Sequence, residues 1–140
     1  MFENDDPAQR KNLITALTEK GLDALELNSG GGTMHVIIQL FDYWVDPPVN
    51  AAEDLALRLD LKNAAKNWPY AGYLYIATNN DQTDCEVGLM GVDGKTDAQV
   101  SMEEWAPVGS LEEAVETIQR YWSERDKWIR AFLVGELVTW

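Results

Sequence analysis

Thr33 to Phe41 is the clearest strand in the order of apolar and polar residues. Met34, Val36, Ile38 and Leu40 point to one side, and His35, Ile37, Gln39 and Phe41 to the other. Both sides are largely apolar, which predicts a strand at the centre of a sheet. Ala24 to Leu27 predicts a short strand before it, joined through the turn at Gly30-Gly31-Gly32. Tyr73 to Thr78 and Cys85 to Val92 alternate around a polar turn, Asn79 to Asp84, and predict a hairpin. Asp93-Gly94 marks another tight turn, with a further strand over Ala98 to Met102.

Two segments follow the helical period. Asp6-Pro7-Ala8-Gln9 reads as a helix start, with Asp6 as cap, Pro7 at the first helical position and Gln9 completing a capping box. Leu13, Ile14 and Leu17 form a thin apolar stripe, which places this short helix on the rim of the core. Gly21 ends it, with Leu22 folding back on the last turn. Ser110-Leu111-Glu112-Glu113 is a second capping box. Apolar residues then recur from Leu111 to Leu133 at three-and-four spacing, with Trp122 and Trp128 in the stripe, until Gly135. A helix of that length runs about 36 Å. Ser123 and Asp126 mark the place where it would kink or restart. Asn50 to Asn67 carries helix signals at both ends, although Leu55, Leu57, Leu59 and Leu61 alternate as in a strand; helix is the expectation. The architecture read from these elements is one α+β domain over residues 1–140. A four- to five-stranded antiparallel sheet carries a long C-terminal helix on one face, beside a short N-terminal helix.

Composition narrows the functional classes. The 140 residues are 46% apolar, enough for one core. No run reaches the roughly 18 apolar residues of a membrane span. The acidic start, Met1 to Asp6, has no basic or apolar signal character, so a cytoplasmic location is expected. A single Cys85 excludes an internal disulfide, and one Cys with one His excludes a His/Cys zinc site within the chain. The net charge of −13 argues against nonspecific nucleic-acid binding and against docking on anionic lipid. The acids concentrate: Asp81 to Glu116 holds ten acids and one base, Lys95. Such a field attracts a basic partner and repels acidic ones.

Several chemistries are begun in the sequence and left incomplete. Gly30-Gly31-Gly32 is followed by a strand, not a helix, and no Lys or Arg lies between Lys20 and Arg58, so it is no phosphate cradle. Gly94-Lys95-Thr96 lacks the upstream glycine of a P-loop, with Leu89 in its place. His35 and Cys85 would need activating neighbours, and their surroundings are acidic. Asn79 to Asp84 has only fragments of a calcium loop. Neither Glu103-Glu104 nor Glu112-Glu113 defines the opposed carboxylates of a glycosidase. No metal and no cofactor is expected. Among the aromatics outside the helices, Trp105 stands beside Glu103 and Glu104, an aromatic anchor within an acidic patch.

The functional expectation is a non-enzymatic binding or inhibitor protein. It would meet a basic protein partner through Asp81, Asp84, Glu86, Asp93, Asp97, Glu103, Glu104 and Trp105. One version presents carboxylates where the partner expects nucleic-acid phosphates, as phage-encoded antagonists of bacterial defence do. The alternative is a small hydrolase or ligand-binding enzyme using carboxylates with His35. A third expectation is a homodimer formed through apolar sheet surface left uncovered.

Overall fold

The computed structural model describes residues 2–28, 34–42, 72–81, 84–93, 98–102, 104–133 and 135–139. The Asn50 to Asn67 segment and the Gly30-Gly31-Gly32 turn lie outside them. The described elements are α1 (Pro7–Glu19), β1 (Ala24–Asn28), β2 (Met34–Asp42), β3 (Tyr73–Asp81), β4 (Asp84–Val92), β5 (Gln99–Ser101), β6 (Ala106–Val108), α2 (Leu111–Ser123), α3 (Arg125–Leu133) and β7 (Val138–Thr139). The protein is α+β, and every strand pair whose register is described is antiparallel. Contacts divide the chain into two compact units.

The first unit comprises Met1–Ile38, Ile76–Leu89 and Glu104–Ser123. Its strand order is β1-β2-β3-β4, with β6 paired to β4. β2 is central here, as its two apolar sides require, and His35, Val36, Ile37 and Ile38 are all buried. Asp6 caps α1, its carboxylate accepting from Ala8 N–H at 2.9 Å. Gln9 departs from the expected box: its carbonyl oxygen accepts from Glu3 N–H at 2.8 Å, while its amide nitrogen lies 3.4 Å from Asp6 Oδ2. Gly21 takes φ +82°, and Leu22 N–H reaches back to Leu17 C=O at 3.0 Å, which seats buried Leu22 under the last turn. The rim expectation for α1 is too weak. Leu13 and Leu17 are fully buried, because the helix packs on both β1 and α2. α2 opens as expected with Ser110 Oγ accepting from Glu113 N–H at 3.1 Å. It buries Ala114, Val115, Ile118 and Tyr121.

The second unit comprises Gln39–Tyr75, Met90–Glu103 and Glu124–Trp140. β5 pairs with β4, matching Gly91 to Val100, and β7 pairs with β5. Gly91 is required where it stands: a Cβ there would lie 2.1 Å from the carbonyl oxygen of Tyr73. Phe41 and Phe132 meet with ring centroids 5.8 Å apart. Gly135, at φ +78°, ends α3 with Glu136 N–H bonded to Ala131 C=O.

Four further expectations are corrected. The long C-terminal helix is two helices of 13 and 9 residues. Ser123 Oγ donates to Arg120 C=O at 2.7 Å, and α3 restarts with Trp128 N–H on Glu124 C=O. Trp122 and Trp128 are half-buried, not core residues; Lys127 lies 4.6 Å over the Trp128 ring. Seven strands are described where four or five were expected, because β6 and β7, at three and two residues, are too short to show a period. β3 also runs on through Asn79 and Asn80 to Asp81, into the stretch expected to turn.

Candidate functional site

The candidate surface is built on β4 and β6. Their register sets Cys85 against Val108, Glu86 against Pro107 and Val87 against Ala106. One step further, the Trp105 indole lies on Gly88, where a Cβ would come within 2.4 Å of the ring. Only glycine lets the ring sit this close to the strand. Glu86 and Gly88 are two residues apart and therefore share a face of β4, so the Glu86 carboxyl and the indole lie on one side of the sheet. Both are half-buried, and Glu104, next to Trp105, is exposed. Pro107 has no N–H to offer, which blunts β6 as an edge.

Two of the eight expected residues, Glu86 and Trp105, thus share one ledge of the first unit, and Glu104 precedes Trp105 in the chain. Asp81 and Asp84 stand at the end of β3 and the start of β4. Asp93 belongs to the second unit, where its N–H bonds Ala98 C=O at 2.9 Å. Asp97 and Glu103 lie outside the described residues. The first unit has further acids that the site expectation did not include. Glu19, Glu112 and Glu116 rim a shallow groove between α1 and α2, over Leu111 and Val115. All three are exposed.

The residues weighed for catalysis are placed differently. His35 is 4% exposed, and its Nδ1 lies 2.7 Å from Thr78 C=O, so Nδ1 carries the proton and donates. Thr78 Oγ1 accepts from Val36 N–H at 2.9 Å and donates to the side-chain oxygen of Asn4. The Asn4 amide nitrogen donates to Met34 C=O at 2.7 Å. Arg10, also buried, reaches Asn4 C=O at 2.8 Å and pairs with Glu26 at 3.2 Å. This polar chain ties the N-terminal segment, with Phe2 buried and bonded to Gly109 C=O, onto β1, β2 and β3. It satisfies buried groups, which is a structural task. Cys85 is 2% exposed. Burial pushes its thiol from the ordinary 9.0 up to about 12, with the Glu86 carboxylate adding to the rise. It stays protonated at neutral pH and is no nucleophile there.

Among the described residues, no group of His, Cys, Asp and Glu has the makings of a metal site, and no helix is long and apolar enough to cross a membrane. No family model, curated protein or solved structure matches the chain.

Proposed function

We propose that this protein binds a basic protein partner through the ledge of Glu86 and Trp105, together with Glu104, next to Trp105 in the chain. The observation that carries the reading is the indole pinned against Gly88 on the same face of β4 as Glu86, in a chain of net charge −13. A flat aromatic held by its strand loses little entropy on contact and offers a face to an Arg or Lys side chain. Carboxylates beside it pair with the same cation, and the overall field speeds the encounter. An inhibitor that occupies a phosphate-binding surface is the specific form of this function. The alternative, an enzyme using His35, draws no support from a ring that is buried and bonded to the backbone.

The test is capture on the immobilised protein of a synthetic Arg- and Lys-rich peptide, then of proteins from a cell extract. Binding is expected to fall steeply between about 0.05 and 0.5 M salt. Trp105→Ala and Glu104→Gln should each weaken peptide binding, by about tenfold and threefold. Capture that ignores both salt and these substitutions would remove the reading.

A further inference from the structure

The opposite edge of the first unit has a different character. β1 ends the strand order and, among the described residues, pairs with β2 alone. Val36 N–H points at Thr78 of β3, so His35 and Ile37 direct their backbone groups to β1. Through the register Leu27 to His35 and Leu25 to Ile37, the backbone groups of Leu25 and Leu27 face β2. Those of Glu26, between them, face outward and take no backbone partner among the described residues. Leu25 is 54% exposed, the large apolar side chain most open to water among the described residues. β1 has no proline, lysine or bulge to guard it.

We infer that β1 is a self-pairing edge, through which two copies of this chain associate about a twofold axis centred on Glu26. Antiparallel pairing there lets the two Glu26 residues exchange N–H···O=C bonds. It sets Leu25 of each copy opposite Leu27 of the other, on one face, covering the exposed side chain. The charge at the centre permits this. Each Glu26 carboxylate is already held by the Arg10 of its own chain at 3.2 Å, so two neutral pairs meet rather than two bare acids. The self-complementary apolar alternation, Leu-Glu-Leu, favours a second copy over a cationic peptide at this edge. Five residues of edge cover little against the roughly 1,200 Å² of a stable interface, so the association is weak and concentration-dependent.

The overall charge gives the test its direction. Two chains of −13 repel, so salt strengthens this dimer, whereas salt weakens capture of a basic partner. Failure of one reading is therefore distinguishable from failure of the other. Sedimentation equilibrium up to about 1 mM protein, the range of a dissociation constant of about 1 mM, is run at low and high salt. The dimer is expected to grow with both protein and salt. Leu25→Lys and the strand-compatible Leu25→Thr, both with unchanged circular dichroism, should lower the association constant at least tenfold. A wild-type monomer at every concentration, a dimer that weakens with salt, or dimers undiminished in both variants would overturn the inference.

Discussion

The two margins of the first unit solve the problem of an exposed strand in opposite ways. β6 is three residues long, has Pro107 at its middle, and is led into by an indole clamped on Gly88. β1 is five residues long, turns the N–H and C=O of Glu26 outward and leaves Leu25 open. Among the described residues, one edge is closed to pairing and displays charge and an aromatic ring; the other is open and displays apolar residues. The difference teaches that this acidic chain is not uniformly repellent. The net charge still repels a second copy, but the one carboxylate on this edge is paired with Arg10 and adds little to that repulsion.

The largest single-residue loss at neutral pH is expected in the polar chain behind β1. Thr78→Val leaves Val36 N–H and the Asn4 side chain without their hydroxyl partner in a fully buried place. A loss of about 3 kcal/mol is expected in urea denaturation. A loss below about 1 kcal/mol would mean that the β1 side is not held this way.

Behind β6 the corresponding test is Gly88→Ala, whose methyl would meet the indole at 2.4 Å. About 2 kcal/mol should be lost, and Trp105→Ala in the same chain should recover part of it. Additive effects of the two substitutions would show that ring and glycine do not touch. Cys85, set against Val108 of β6, supplies a pH signature of the same region. Its thiol titrates near 9.0 when unfolded and near 12 when folded, so above pH 9 the unfolded state has lost a proton that the native state keeps. Stability should be unaffected by this group below pH 9 and then fall by about 1.4 kcal/mol per pH unit towards pH 12. Cys85→Ala should lack that decline; an identical decline in both proteins assigns it elsewhere.

The smallest expected effect on stability is also the sharpest on the comparison. Pro107→Val, at an exposed position, should change stability by no more than about 0.5 kcal/mol, but it restores an N–H to the closed edge. With both edges open, sedimentation should show species larger than dimers, and adding Leu25→Lys should reduce them. Unchanged sedimentation would mean that Pro107 is not what closes β6.

Much of the local structure was legible from short stretches of the chain. The Asp6 and Ser110 caps, the stops at Gly21 and Gly135, and the central place of β2 each depend on residues within one or two turns or one strand. The break at Ser123 was visible as a place but not as an outcome. Whether its hydroxyl bonds Arg120 C=O or leaves the helix running depends on packing along the whole segment. The candidate site was legible only in part. Trp105 and Glu104 announced themselves by adjacency, and Glu86 joined them only through the β4–β6 register.

The chain alone determined its charge, its helix ends and the residues that alternate, because these follow from neighbours a few positions apart. The tertiary structure decided what lies across space. It set Asn4 against Thr78, 74 positions away, an indole on Gly88, and one edge open while another is closed. No periodicity encodes such meetings; they arise when strands far apart in sequence fall into register and burial favours polar groups that meet a partner.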